Sequence, residues 1–524
     1  MIKPHLEVTS ILKKIKKHPL VFGTLLLSGA GIISRILGFF YKIFLSRTIG
    51  ASGLGLYQLI FPIFSLSLAI STSGIQTAIS RFVAIEMSGG SATMPIQNRK
   101  RNRLEHSIKN TTVAKYDNIR YNNSISNHAV REKHARSYLY AGLLISTLLC
   151  GIFALYVYTF APWISDTILK EPRTEELLRI MSITFIPAAI HACFNGYFYG
   201  KKNSVTPSIC QILEQLARIS GTLLIYMVLS NENLPLLAIH AVWGIVISEF
   251  MGLIVCLTGF FIQQTEHSDD TSKHFENEFP NKTKAITEYC DTFMHDSSEH
   301  FTNTAFLPIK ALLCMAIPLS LNHVLMSFSH SVENMLLPQQ LMVFGFTSDE
   351  ALSHFGILTG MALSVIFFPA VITNSLSVLL LPRISEAKAQ NDTSLVMDTI
   401  KGAAACGIAF GSLCTFLFLF SADWIGIYVF ENRIAGFYVQ ILSILCPFMY
   451  TSSLLSSIVN GLGFAHLTLL CNLSGCVLRI IAIWFFVPIY GMYAYIFSLI
   501  AGALLTTIEL ALVVTYVVRT QVAS

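Results

Sequence analysis

Residues 31–50 read GIISRILGFFYKIFLSRTIG, a run in which Arg35 and Lys42, ahead of Arg47 near its end, stand among aliphatic and aromatic side chains with no carboxylate beside them. The apolar run begins at residue 21, so it reaches the ~20 residues that an α-helix needs to cross the hydrocarbon layer of a bilayer. Arg35 falls near mid-depth, and Lys42 follows seven residues later on nearly the same helical face. A charged side chain inside a membrane costs about 3 kcal/mol on insertion scales, so one that is retained faces a cavity or a partner. With no acid in this span, an anionic ligand is the natural counter-charge, and the planar fork of arginine suits a pyrophosphate. The alternative is that Arg35 pairs with a carboxylate of another helix while Lys42 snorkels to the interface.

The rest of the chain repeats the pattern. Of 524 residues, 53% are hydrophobic and 12% charged, about half the charge of an ordinary soluble domain, so lipid must serve as the solvent. Apolar runs predict spans at 21–46, 54–86, 137–160, 176–199, 206–229 and 235–262, then at 308–337, 353–381, 399–421, 435–460, 466–487 and 490–518. The expected fold is an all-α integral membrane protein of about twelve transmembrane helices. Its organisation reads as a basic N-terminus (1–20), an N-lobe (21–262) carrying a loop at 87–136, a polar linker (263–307), a C-lobe (308–518) and a short tail (519–524). Lys13, Lys14, Lys16 and Lys17 precede the first span, and Arg99, Lys100, Arg101, Arg103, Lys109 and Lys115 crowd the 87–136 loop. By the excess of cations on cytoplasmic loops, an even number of spans puts both termini in the cytoplasm of a cell membrane. The two halves echo each other: Asn195-Gly196 precedes Arg218 as Asn460-Gly461 precedes Arg479, and Ser80-Arg81 and Pro382-Arg383 close corresponding spans.

Further ionisable residues fall inside spans. Glu214 and Arg218 are four apart and can pair along one helix, while Glu249 and Glu333 have no local partner and must be protonated, reach an arginine elsewhere or bind a coupling cation. Arg479 is isolated in the C-lobe. Arg35, Lys42, Arg218 and Arg479 are the candidates for contact with substrate, and Glu214, Glu249 and Glu333 are candidate ion-coupling or structural carboxylates. Arg81 and Arg383, at helix ends, read as anchors to lipid phosphate. Pro62, Pro187, Pro318, Pro369 and Pro447 lie inside spans, where each removes a helix hydrogen bond. Cysteines such as Cys150, Cys193, Cys256, Cys314, Cys414 and Cys471 stand singly in apolar segments and read as core residues. The linker residues His267, His274, Cys290, His295 and His300 fit no zinc spacing. No metal or cofactor is expected beyond a coupling cation or the membrane potential. No phosphate-cradling glycine motif, HExxH or nucleophile elbow is present, which disfavours an ATP-driven pump and an enzyme, and the small net charge of +5 is not arranged for nucleic acid.

Five segments carry a family resemblance: SRILGFFYKIFLSRTIGASGLGLYQLIFPIFSLSLAISTSGIQTAISRFVA, NGYFYGKKNSVTPSICQILEQLARI, AIPLSLN, ENMLLPQQL and LTGMALSVIFFPAVITNSLSVLLLPRISEA. Together they resemble the stage V sporulation protein B, or polysaccharide-export, family of the multidrug, oligosaccharidyl-lipid and polysaccharide (MOP) exporter superfamily. The resemblance covers nearly all of the chain except loops 88–135 and 263–305, and is most specific over Ser34–Ala84. It implies a MATE-like, V-shaped molecule of two six-helix lobes that alternates access to a central cavity. It further implies a polyprenyl-pyrophosphate-linked saccharide as substrate, such as a peptidoglycan precursor for spore cortex, with membrane lipids and cell-wall synthesis enzymes as partners. In related lipid II flippases, cavity cations engage the pyrophosphate, and Arg35 sits in the matching SRxLGF motif. Where those flippases carry further arginines, this sequence has Tyr41 and an uncharged stretch through Ser65 and Leu66. The competing readings are a cation-coupled drug exporter of the same superfamily, which would use Glu214, Glu249 or Glu333, and a membrane-embedded glycan transferase, which would need a catalytic cluster in an outer loop.

Overall fold

The computed structural model describes residues 19–88, 116–278, 306–390 and 393–518, and all regular structure among them is helical. The basic residues from Lys13 to Lys17 and from Arg99 to Lys115, the tail, and the side chains of His267, His274, Cys290, His295 and His300 lie outside the described residues. Nine stretches are long and apolar enough to cross a membrane as they stand, and three bent pairs bring the number up to the twelve expected. In chain order we label them α1 (Pro19–Thr48), α2 (Gly50–Met87), α3 (Tyr116–Thr159), α4 (Thr174–Ser182 and Phe185–Gly200), α5 (Val205–Asn231), α6 (Ala238–Glu278), α7 (Phe306–Phe344), α8 (Ser348–Phe367 and Ala370–Ala389), α9 (Thr393–Trp424), α10 (Arg433–Leu442 and Leu445–Gly461), α11 (Ala465–Phe485) and α12 (Met492–Val517). Their outer faces are apolar. On α3, Leu144, Leu148, Ile152 and Leu155 form one stripe at helical spacing and are each more than half exposed. Such a stripe is stable only against lipid tails.

The prolines mark where the helices break. α2 is interrupted at Ile60, just before Pro62, α7 bends by 45° between Ile317 and Leu319, and α8 breaks between Phe367 and Ala370, around Pro369. α4 and α10 bend by 46° and 54°, in each case ending two residues before a proline, Pro187 and Pro447. A proline cannot donate to the carbonyl four residues back, so that carbonyl needs another donor. At Pro447 the freed carbonyl is that of Ser443, and Thr415 Oγ1 donates to it at 2.7 Å. The matching bends of α4 and α10, and the π-helical turns inside both α2 (Ala69–Ser73) and α8 (Ile357–Ala362), give the weak sequence repeat a structural counterpart. So do its glycines: a Cβ on Gly196 would strike the Gln76 carbonyl of α2, and one on Gly461 the Leu381 carbonyl of α8. Both sites let a half's fourth helix lie directly on its second.

Packing divides into three cores. The largest joins residues of α1, α2 and α4 to residues of α7, α8, α9, α10 and α12, so both halves share it at the end of the bundle where α1 stops and α2 starts. At the opposite end there are two separate cores. One groups Ile75, Ile79, Leu139, Phe198 and Cys256 with Leu312 and Ala316 of α7, and the other groups Ile384, Val396, Leu454, Ile458 and Val514. The halves share a core at one end; at the other their cores are separate apart from α7 of the second half, which packs into that of the first, and this arrangement forms a wedge.

Candidate functional site

The closed end of the wedge is held by backbone proximity and a set of polar contacts. α2 crosses α8 at Gly55 and Gly356; a Cβ on Gly55 would lie 2.1 Å from the Leu352 carbonyl oxygen, and one on Gly356 2.2 Å from that of Ala51. Small residues permit this approach, and no other side chain fits there. Around the crossing, Ser52 Oγ donates to Asp349 Oδ1 at 2.6 Å and Arg173 Nη1 donates to the same oxygen at 3.1 Å. Arg173 also grips the nearly buried Glu171 through Nε at 2.6 Å and Nη2 at 3.3 Å, and the Ser348 hydroxyl donates to Glu171 from the other half. Arg47 closes the adjacent seam, donating to the Val429 carbonyl at 2.8 Å and to that of Tyr428, with Glu431 Oε1 3.4 Å from its Nη1. We call this set the latch.

Below the latch, one face of α1 follows the seam and then leaves it. Lys42 Nζ donates to Ser364 Oγ of α8 at 3.0 Å, and three residues back Phe39 packs on Phe368 with ring centroids 5.0 Å apart. Arg35 lies on the same face, seven residues and so about 10 Å before Lys42 along the axis. It is exposed and has no hydrogen bond or ion pair among the described residues. Arg35 stands exposed on the α1 face that Lys42 and Phe39 turn toward α8. On α8 the stripe that starts at Phe368 continues through the exposed Ile372, Leu379 and Arg383, an apolar face that ends in a cation.

The other sequence candidates all have partners. Arg218 does not pair with Glu214: its Nε and Nη2 donate to Ser248 Oγ on α6 at 3.3 and 3.1 Å. Glu214 faces His191 instead, with Oε1 2.8 Å from Nδ1, and Glu249 Oε2 lies 3.3 Å from Nε2 of the same ring. His191 is thus the residue that sequence reasoning missed; a single histidine in an apolar span carries no spacing signal. Glu333 reaches across to Arg479, which donates to it through Nε at 2.7 Å and Nη2 at 3.2 Å, and Tyr495 OH adds a third bond at 2.8 Å. This fork-on-carboxylate pair neutralises both charges inside the C-terminal half, away from the face that carries Arg35.

The N-terminal half also carries an open cavity of about 360 Å³ lined by Leu27, Gly31, Asn195, Tyr199, Pro207, Gln211 and Glu214. Next to it, Cys210 Sγ and Cys256 Sγ stand 3.6 Å apart, so Cys256 is not the isolated thiol that its segment suggests.

With the wedge, the shared core and the unpaired arginine described, the comparisons with known proteins fall into place. A sequence profile described as Polysaccharide biosynthesis protein matches residues 20–102 and 121–333, more than half of the chain. The chain belongs to the polysaccharide biosynthesis protein family. Among curated proteins, stage V sporulation protein B of Bacillus subtilis is 24% identical over 94% of this family member and 83% of its own length. Among solved structures, an inward-facing multidrug resistance MATE family transporter of the MOP superfamily superposes with a TM-score of 0.61 at 13% identity, covering 95% of this chain and 99% of that one. The lipid II flippase MurJ, in an inward closed conformation, gives 0.57 at 13% identity over 94% and 87%. The fold is therefore that of MOP-superfamily transporters and flippases, and this family member is a multi-pass membrane protein.

Proposed function

We propose that the protein flips a lipid-linked anionic saccharide, a polyprenyl pyrophosphate carrying a sugar, across the cell membrane by opening the cleft alternately at its two ends. The observation that carries this reading is the unpaired Arg35. Each of the other three candidate cations in the spans has a partner, whereas Arg35 is exposed, without one among the described residues, on the α1 face that carries Lys42 and Phe39. An uncompensated guanidinium in a low-dielectric cleft favours an anion with paired oxygens, which a pyrophosphate supplies. The apolar stripe of α8 opposite suits an acyl or prenyl chain. Membership of a polysaccharide biosynthesis family supports a saccharide cargo, and the lysines before α1 support a cytoplasmic N-terminus. The drug-exporter reading draws less support, because Glu333 is neutralised by Arg479 and Glu214 and Glu249 both engage His191.

The test is headgroup accessibility of labelled lipid II and of a teichoic-type precursor in proteoliposomes, with the wild-type protein beside Arg35→Ala. The expected result is translocation of one of the two substrates that the substitution abolishes. Unimpaired translocation by Arg35→Ala, or none by the folded wild type, overturns the proposal.

A further inference from the structure

The polar cluster of the N-terminal half has the makings of a metal site independent of the cleft. Three helices bring it together: His191 from α4, Cys210 from α5 and Cys256 from α6 place one ligand atom each within 4.8 Å of one another. Glu214, one turn after Cys210, adds a carboxylate oxygen 3.0 Å from Cys210 Sγ and 2.8 Å from His191 Nδ1. Both thiols are buried.

Two features distinguish this cluster from an ordinary hydrogen-bonded one. His191 Nδ1 is buried beside Glu214 Oε1, yet the contact has no hydrogen-bond geometry and the nitrogen finds no acceptor. Two ligand atoms at 2.8 Å that do not point at each other are free to point at a third atom between them. The sulfurs are also spaced for it: a tetrahedral centre with bonds of about 2.3 Å to sulfur sets two sulfurs roughly 3.8 Å apart, close to the 3.6 Å seen here. Behind these ligands, Glu249 Oε2 stands 3.3 Å from the far nitrogen of His191 and is itself buried without a hydrogen bond, and Cys256 Sγ faces Asn195 Oδ1 at 3.5 Å. A carboxylate behind a ligating imidazole is the usual support of such a site.

We propose that His191, Cys210 and Cys256 bind one thiophilic metal ion of the Zn²⁺ class, tying α4, α5 and α6 together beside the N-half cavity. Two sulfurs and an imidazole nitrogen form a donor set that such an ion accepts and that Mg²⁺ or Ca²⁺, which require oxygen ligands, do not. Binding takes a proton from each ligating thiol and passes it to solvent through the cavity, so metal uptake acidifies an unbuffered solution.

The probe is Co²⁺, which reports thiolate ligation by a near-ultraviolet charge-transfer band. The full-length protein, purified in detergent, reduced and stripped with chelator, should take up one Co²⁺ per chain with that band present, and Zn²⁺ should displace it. Cys210→Ser and Cys256→Ser should each lose more than about 100-fold in affinity, beyond the 10–100-fold that loss of a supporting group costs. Cys471→Ser, a buried cysteine of α11, should bind as the wild type does. If Cys210→Ser fails to accumulate, Cys256→Ala reads the same band. The proposal is overturned if the wild type shows no band, if the band survives unchanged in the Cys210 and Cys256 variants, or if the unreduced chain carries a Cys210–Cys256 disulfide by mass.

Discussion

Removing Arg173 should open the closed end of the wedge, and the size of the effect follows from who is left behind. Arg173→Ala strips two hydrogen bonds from Glu171, whose side chain is only 5% exposed, and one from Asp349, which is 69% exposed. Breaking a fully buried pair costs about 3–5 kcal/mol and an exposed one about 0–1. Arg173 is itself 47% exposed, so water already weakens the pair and about 2 kcal/mol is the appropriate figure. The cost falls on the latched state, because Ser348 of the other half completes the burial of Glu171, and parting the halves would let water reach the orphaned carboxylate. At 1.4 kcal/mol per factor of ten, the unlatched population should rise about 30-fold. A cysteine placed at Ser364, behind the latch, reads that population by its modification rate with a membrane-impermeant maleimide, resolved from native cysteines by peptide mass spectrometry. Arg173→Ala should accelerate labelling about 30-fold and Asp349→Ala less than about fivefold. Adding Glu171→Gln to Arg173→Ala should bring the rate back, since a neutral amide needs no counter-charge. Equal rates for the two single variants, or no acceleration by Arg173→Ala, would refute the reasoning.

The latch should also respond to acid. Burial raises the Glu171 carboxyl, but hydrogen bonds from Arg173 and Ser348 and the Arg173 charge outweigh it and hold it below the ordinary carboxylate range. A depressed value stabilises the latched state fully above the ordinary carboxylate pH and fades as pH falls through the depressed one, so spin-label distances across the closed end should lengthen only in acid. Arg479→Met should destabilise the protein by about 3–5 kcal/mol by leaving Glu333 buried and unpaired, with Glu333→Gln partly restoring it, as seen in thermal unfolding in detergent. Arg35→Ala, in contrast, should leave unfolding within about 0.5 kcal/mol of the wild type while translocation is lost, because an exposed side chain without a partner contributes little to stability. A destabilised Arg35→Ala would mean that the arginine has a structural role instead.

What could be read from the sequence is what depends on local chemistry. Span lengths follow from runs of apolar residues, and the prolines singled out inside spans fall where the helices break or bend. The charge of Arg35 stood out because its own helix offers nothing to neutralise it. Partnership was not legible, because it is decided across helices. Glu214 and Arg218 have the right spacing to pair, yet Arg218 turns to Ser248 of α6 and Glu214 to His191 of α4. Glu333 and Arg479 are 146 residues apart and meet only because α7 and α11 pack together. The Cys210–Cys256 approach was hidden for the same reason: the two thiols are 46 residues apart and meet only because α5 and α6 pack together.

The crossing of Gly55 and Gly356 has a mechanical consequence. With backbone against backbone and no side chains to interlock, the contact is a fulcrum, and the remainder of α2 is a lever arm. From Gly55 to Arg81 that arm is 26 residues, or about 39 Å at 1.5 Å per residue. A rock of about 10° at the glycines sweeps Arg81 through roughly 7 Å, nearly the spacing between two packed helices. The stroke of the machine is therefore set by a contact that has no side chains of its own, and any residue larger than glycine at position 55 or 356 moves the pivot.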